Sequence, residues 1–364
     1  MQRTARKKNQ DWKSTLFTFI IAAIGGTVFA WLHIPLAWML GPIIFIVIAR
    51  WIWKMKVVWP SYYRSSGLIV LGYTLGTSFT NDALQHITHQ LPLIFSYTLL
   101  LLLVSSLIGW VISLVTNVSF RTAIIGSIPG GLSQMATLAE EIPGVDVAHV
   151  MLMQTIRIMG IVGIVPLIAS MFPATQLTNL HLVTNPSSYS LIHMMLYIIC
   201  IGIGTWIGRR IHLPTPYLLS PMIVTSIFVL VGFSHPAIPN FLTLLAQLFV
   251  GTHLGATLQI DSVKRAKENL IYFIIGTMLL ISFAFFASIL FMGIVHSSML
   301  STFLSFAPGG IAEMGTTAIA MHADLATVIS FHLFRIFFIL LIVTPSMSYI
   351  FRRVTKRQQQ VKSA

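Results

Sequence analysis

Acidic residues are scarce in this chain: nine Asp and Glu in 364 residues, against 22 Lys and Arg, with the four charged types together only 9%. A globule that meets water on every side needs far more polar surface, so the scarcity of charge excludes an ordinary soluble domain. One cysteine, Cys200, excludes an intramolecular disulfide and says nothing about compartment; a free cysteine serves by default as a small buried apolar side chain. Nucleophile elbow, phosphate loop, zinc pair and dinucleotide fingerprint are all absent. The twelve histidines are scattered, and His86 and His89, three apart, fall in a polar stretch expected to be a loop outside the membrane. Seventeen methionines would suit a soft metal, but methionine is mainly a flexible filler of gaps, so no metal and no cofactor is expected.

What is present is apolar: 56% of residues are hydrophobic and the mean hydropathy is +0.86. A bilayer is the solvent such a composition fits, and a transmembrane helix takes about 20 mostly apolar residues. Candidate spans run near 15–33, 36–53, 65–80, 91–115, 147–170, 189–208, 215–233, 241–258, 270–295 and 325–350. Segments 121–140 and 300–321 are left over, each too polar for an ordinary lipid-facing span. The first apolar run follows Arg3, Arg6, Lys7, Lys8 and Lys13 as in a signal peptide, but the hydrophobic pattern continues, so an uncleaved first helix is expected.

The sequence repeats itself. Pro129-Gly130-Gly131-Leu132-Ser133-Gln134-Met135 returns 179 positions later as Pro308-Gly309-Gly310-Ile311-Ala312-Glu313-Met314. At the same offset Pro35, Pro42, Pro60 and Pro166 fall on Pro214, Pro221, Pro239 and Pro345, and Gly25, Gly72 and Gly76 on Gly204, Gly251 and Gly255. Asp146 and Arg157 meet Asp324 and Arg335 at 178 instead, which implies a one-residue deletion after the glycine motif and a one-residue insertion before the last proline. Chance similarity between apolar segments would match leucines, not prolines and charges. The expected organisation is a basic tail (1–14), a membrane repeat (15–170), an external linker (171–188), a second repeat (189–350) and a basic tail (351–364).

Positive residues stay on the cytoplasmic side. With ten spans the clusters at the N-terminus, at Arg50, Lys54, Lys56 and Arg64, at Arg121, at Arg209 and Arg210, at Lys264, Arg265 and Lys267, and at the C-terminus all lie inside. Stretches 81–90, 171–188, 234–240 and 296–300, which that count places outside, hold no Lys or Arg. Five spans per copy force the second copy to enter from the opposite side, so the repeats are inverted. Full crossing by the Pro-Gly-Gly segments would make the copies parallel and put Arg209, Arg210 and the Lys264 cluster outside, against the bias. The expected fold is therefore an all-α polytopic membrane protein of about ten transmembrane helices in two inverted repeats of five. Each repeat carries a re-entrant or broken helix at its Pro-Gly-Gly motif.

Inverted repeats with interrupted helices are a recurrent plan of secondary transporters, whose sites lie near mid-membrane at the interruptions. Pro129, Gly130, Gly131, Pro308, Gly309 and Gly310 free backbone groups from helical bonding. Such backbone survives at membrane depth only when buried or lining a watery cavity, and free amides at the following helix start favour an anion. Arg157 lies eleven residues past Asp146, about 16 Å along a helix and so near the bilayer centre. Insertion there costs about 2.5–3.5 kcal/mol, so it and Arg335 must face the interior. Glu313 is expected to balance one arginine, leaving the other for an anionic solute or for release when Glu313 is protonated; its counterpart is the neutral Gln134. Gln154 and His332 stand three residues before the arginines and share their helical face. Asp146 and Asp324 read as helix caps. Gly72-Tyr73-Thr74-Leu75-Gly76 and Gly251-Thr252-His253-Leu254-Gly255 carry the spacing of close helix packing, with Tyr73, Thr74 and His253 as polar groups that could line a pathway.

The stretches Ser127 to Met135 through Arg157, and Ala307 to Met314 through Arg335, resemble the AbrB family of integral membrane proteins, whose duplicated unit carries Pro-Gly-Gly-x-x-x-Met before a helix with Asp and Arg. The resemblance spans both copies, about 15–350. It implies a multi-pass protein of a bacterial plasma membrane with both termini cytoplasmic. Members are labelled ammonia monooxygenases or regulators of gene expression, and the family is distinct from the small soluble DNA-binding protein of the same name. Gln134, where an acid is usual, counts against a symmetrical two-acid mechanism. Three functions compete: a secondary transporter of a small, anionic, proton-coupled solute; a membrane-embedded regulator acting indirectly, since no soluble DNA-binding domain is seen; and a monooxygenase, for which no residue cluster speaks. Transport without catalysis is the expectation. The partners expected are the bilayer and a small solute or ion, with no direct nucleic acid and homo-oligomerisation left open.

Overall fold

A computed structural model describes residues 2–55, 57–172, 191–233, 235–257, 268–295, 297–351 and 353. Every regular element among them is a helix. From the first copy come α1 (Gln2–Trp31), α2 (Ala37–Trp51), α3 (Ser61–Gly76), α4 (Asn81–Val115), α5 (Phe120–Ser127), α6 (Leu132–Glu141) and α7 (Val147–Ala169). From the second come α8 (Leu191–Arg210), α9 (Pro216–Leu230), α10 (Asn240–Thr257), α11 (Leu270–Val295), α12 (Met299–Phe306), α13 (Ile311–Ala320) and α14 (Leu325–Phe338), which runs on through a π segment (Ile339–Val343). Among the described residues, five helices are long and apolar enough to cross a bilayer: Trp12–Trp31, Asn81–Val115, Val147–Ala169, Leu270–Val295 and Leu325–Phe351; α2 and α9 are shorter and apolar. Large apolar side chains such as Leu103, Phe286, Leu290 and Leu341 point outward, which is compatible with lipid as the solvent. A helix suits that solvent because it satisfies its backbone internally.

Three expectations change or fall away. Stretch 81–90 is no loop: it forms the first turns of the 35-residue α4, with Thr80 Oγ1 capping Ala83 N at 3.2 Å, so His86 and His89 stand on a helix. Residues 2–14 are helical and continuous with the first apolar segment. The expected linker lies outside the described residues apart from Met171 and Phe172, as do the Lys264 cluster and most of the last tail.

Backbone geometry repeats with the sequence. The residues with positive φ pair at offsets of 178 or 179: His33 with His212, Leu36 with Thr215, Lys54 with Gly232, and Gly144 with His322. Three of these are histidines that close helices. Ile34 N reaches Phe29 O at 3.0 Å and His33 N reaches Ala30 O at 3.1 Å; Leu213 and His212, then Ala323 and His322, make the same two bonds. This is the Schellman ending, with histidine in the left-handed place.

The two length differences have structural addresses. Five residues separate α6 from α7 but four separate α13 from α14, which accounts for the deletion. The insertion falls on the π segment, where one extra residue is absorbed without shifting the flanks. Pro345 brings no N–H to that turn, and Thr344 Oγ1 donates to Ile339 O at 3.0 Å.

The helices gather into two compact units, and each draws on both copies. One holds α1–α3, α8–α10 and Gly315–Ala326. Here Gly72 and Gly76 of α3 press on the backbone of α9 at Leu218 and Met222, while Gly251 and Gly255 of α10 press on α2 at Met39 and Ile43. A side chain at any of the four would land on a carbonyl oxygen, so the expected close packing is what these glycines do. Tyr73, a candidate pathway group, donates its hydroxyl to Pro236 O at 2.6 Å. The other unit holds α4 from His89, α5–α7, α11, α12 and the chain from Thr327. Its core includes Ile94, Tyr97 and Leu101 of α4 against Leu280, Ala284, Phe306 and Phe331. The motif residues through Met314 also belong to this unit.

Candidate functional site

The Pro-Gly-Gly motifs are helix breaks. Ser119 caps α5 by accepting from Thr122 N at 3.3 Å, and Ser298 caps α12 by accepting from Ser301 N at 3.2 Å. Eight residues on, each helix stops because the residue before a proline is pushed to extended backbone: Ile128 has φ −63° and ψ 129°, Ala307 φ −53° and ψ 135°. The chain restarts as a helix after Gly131 and after Gly310. The motif methionine folds back on the first glycine, Met135 against Gly130 and Met314 against Gly309, and both are buried. Gln134 and Glu313 fold back in the same way over Gly131 and Gly310.

A helix that stops in a buried place leaves its last carbonyls without partners. The next long helix supplies them. Arg157 Nη1 donates to Ile128 O at 2.8 Å and to Ser127 O at 3.5 Å, and its Nη2 donates to Gly130 O at 3.2 Å. Gln154 Nε2 donates to Ile125 O, Gly126 O and Ile128 O at 3.3, 3.1 and 2.9 Å, and its Oε1 accepts from Arg157 Nη2 at 2.6 Å. The second copy repeats the plan. Arg335 Nη1 donates to Ala307 O at 2.8 Å, and Nη2 donates to Gly309 O. His332 Nδ1 takes a bond from Arg335 Nη2 at 2.6 Å, while Nε2 lies 3.0 Å from Leu304 O. A guanidinium can only donate, so Nδ1 accepts and Nε2 carries the proton. His332 is thus a neutral ring that does what Gln154 does: accept from the arginine and donate to the ending helix.

All four side chains are buried, Arg157 at 4% exposure and Arg335 at 3%. Their charge sits on the negative end of a helix dipole, which is how two arginines are held in the interior. Each keeps one donor without an acceptor, the Nε–H of Arg157 and of Arg335. The breaks adjoin one helix: Gly309 packs against Ile161, one turn beyond Arg157 on α7.

Asp146 is the cap of α7, accepting from Ala148 N at 2.8 Å and His149 N at 3.2 Å and pairing with His149 Nδ1 at 2.7 Å. Burial pushes its carboxyl up, but the His149 and amide bonds outweigh that and leave it below the ordinary value. Sequence reasoning missed Tyr97, whose hydroxyl donates to Phe306 O at 2.7 Å and whose ring stacks on Phe306 at 3.7 Å. The signal was available: a tyrosine in mid-helix whose repeat counterpart is Gly276. It also missed Ser127, which is buried with its hydroxyl unpartnered. No group of three or more His, Cys, Asp or Glu gathers among the described residues.

Fold and site together define a helical protein with membrane-length apolar helices and two arginine-capped helix breaks. The family model described as "Transition state regulatory protein AbrB" matches residues 38–352, and the chain belongs to that family. It is similar to "Uncharacterized protein YhjN" of Bacillus subtilis (strain 168), 24% identical over 362 residues, covering 93% of this chain and 94% of that one. It is also similar to "Putative regulator AbrB" of Escherichia coli (strain K12), 24% identical over 336 residues, covering 91% and 94%.

Proposed function

We propose that this protein is a secondary transporter of a small anionic solute, built from two inverted repeats of five membrane spans with both termini on the cytoplasmic side. The observation that carries the reading is the pair of helix breaks, each with its carbonyl ends held by a buried arginine from the next long helix. Paired left-handed residues support the duplication. The inversion is supported by the charge bias, and the contact of Gly67 with Ala246, its own repeat counterpart, fits a two-fold relation between the copies. Arginine heads answer the negative helix ends, while the starts of α6 and α13 present positive ones, so the field at the breaks suits an anion. Proton coupling is assigned to Glu313, the ionisable member of the Gln134/Glu313 pair. The proposed location is a bacterial plasma membrane, and no catalytic step is assigned.

Uptake by proteoliposomes tests this: radiolabelled small carboxylates should accumulate with the parent protein and not with Arg157→Ala or Arg335→Ala. Glu313→Gln should abolish the dependence of that uptake on a pH gradient. Uptake by neither the parent nor the variants would refute transport of this class. A second reading, regulation of gene expression through a solute or a partner protein, rests on the family description and on the name of the Escherichia coli relative. A transcript change on deletion that persists with a transport-dead variant would favour it.

A further inference from the structure

The hairpin of α1 and α2 has two chemically different ends. Its helices touch backbone to backbone at Gly25 and Gly41, where a side chain on either would land on the carbonyl oxygen of the other. Trp12 lies as far before Gly25 as Lys54 lies after Gly41, thirteen residues in each case, so antiparallel packing brings Trp12 and Lys13 level with Trp51 to Lys54. Trp31 closes α1 nineteen residues after Trp12, about 28 Å along a helix and close to the depth of a hydrocarbon layer. Trp12, Trp51 and Trp53 at one end and Trp31 at the other are all exposed. Tryptophan at both ends of an apolar helix marks the two boundaries between membrane and water.

Only one of those ends is charged. Lys13 and Lys54 are exposed, and neither pairs with an acid among the described residues. Arg50 is already committed, since its Nη1 donates to Gly255 O at 3.1 Å and Ala256 O at 2.8 Å at the end of α10. Arg3, Arg6, Lys7 and Lys8 precede Trp12 on the same helix. The opposite end, from Trp31 to Ala37, holds no Lys or Arg.

The duplication supplies an internal control. The corresponding stretches of the second copy, Leu191-Ile192 and Val229 to Phe233, contain no Trp, Lys or Arg, although α8 packs on α9 through Gly204, the counterpart of Gly25. Lys54 is held at φ 49°, in the left-handed region where its counterpart Gly232 has φ 85°. Met55 N closes on Ala49 O at 3.2 Å around it. Glycine takes that conformation freely and a lysine does not, so the turn by itself calls for glycine and the lysine is there for its side chain.

We propose that the charged end of the α1–α2 hairpin binds the headgroup of an anionic phospholipid, with Lys13 and Lys54 on its phosphate and Trp12, Trp51 and Trp53 where headgroup meets acyl chain. Charge selects the headgroup, because each lysine near a membrane surface favours an anionic lipid over a neutral one, and the indoles set the depth. The proposal rests on these helices lying in a bilayer and is independent of whether a solute is carried.

Native mass spectrometry of the purified full chain in neutral detergent, titrated with phosphatidylglycerol or phosphatidylcholine, tests it. The tightest phosphatidylglycerol should bind the parent about fivefold or more better than phosphatidylcholine does, Lys13→Gln and Lys54→Gly should each weaken it about fivefold, and the two together about twentyfold. Arg210→Gln, which removes a cation at the end of α8, should leave that affinity within about twofold. Lys54→Gly should melt no lower than the parent in lipid-free detergent, because glycine suits its place, so that its lost binding is not a lost fold. Equal binding of the two lipids, an undiminished affinity in the double variant, or an equal loss in Arg210→Gln overturns the proposal. Displacement of phosphatidylglycerol by an equal concentration of glycerol phosphate also overturns it, since the site would then belong to a soluble anion.

Discussion

His332 offers the sharpest test of how the breaks are held. Its Nε2–H meets Leu304 O at 3.0 Å and its Nδ1 accepts from Arg335 Nη2 at 2.6 Å, and Gln154 performs both tasks at the equivalent place. His332→Gln should therefore cost little, within about 1 kcal/mol. His332→Leu keeps a comparable apolar volume but strands one buried carbonyl and one guanidinium donor, at about 1–3 kcal/mol each, or about 2–6 kcal/mol in all. With roughly 2–4 °C per kcal/mol for a domain of this size, the leucine variant should melt on the order of 5–20 °C lower and the glutamine variant within a few degrees of the parent. Thermal unfolding in mild detergent, followed by intrinsic fluorescence and far-UV circular dichroism, reads the difference. Equal melting temperatures for the two variants would refute the claim that this pair of hydrogen bonds holds the second break.

Other consequences follow from the same geometry. Gly251→Val drives a side chain onto Met39 O and should lower stability by about 1–3 kcal/mol, whereas Gly163→Ala, with nothing within 4 Å of the added atom, should be neutral or stabilising by up to about 1 kcal/mol; melting curves compare them. Deleting Ile342 from the π segment (Ile339–Val343) should restore a regular helix and be tolerated, while deleting Ile164 from the regular α7 should unfold the protein, as size-exclusion profiles would report. Asp146 is ionised more readily in the fold than in the unfolded chain. Its contribution is thus present above the ordinary carboxylate value and lost as pH falls through the lowered folded one. Asp146→Asn should keep the cap and flatten that acid limb, and Asp146→Ala should cost about 1 kcal/mol at neutral pH, both measurable by unfolding at stepped pH.

Much of this was legible in the sequence because prolines, glycines and charges in an apolar chain cannot be placed at random. The offset between copies located the breaks, the arginine helices and even the extra residue that became the π segment. The carbonyl partners of Arg157 and Arg335 were not legible: a sequence names side chains, and these acceptors are backbone carbonyls freed by a proline. The length of α4 was misread for a related reason, since Asn81 to Gln90 is polar enough for a loop, while a Thr80 cap and Asp82 in the first turn let the helix begin early. Histidines 33, 212 and 322 were only part of a scattered set in the sequence, and their φ angles show them ending helices.

The two copies must face opposite sides of the bilayer if the breaks are to meet as proposed. Single cysteines at Asn117 and at Ser297, in nearly equivalent turns before α5 and before α12, placed in a Cys200→Ser background, read this directly in intact cells with a membrane-impermeant maleimide. Ser297→Cys should label from outside and Asn117→Cys only after permeabilisation; labelling of both from the same side would contradict the inverted arrangement and the transport reading built on it.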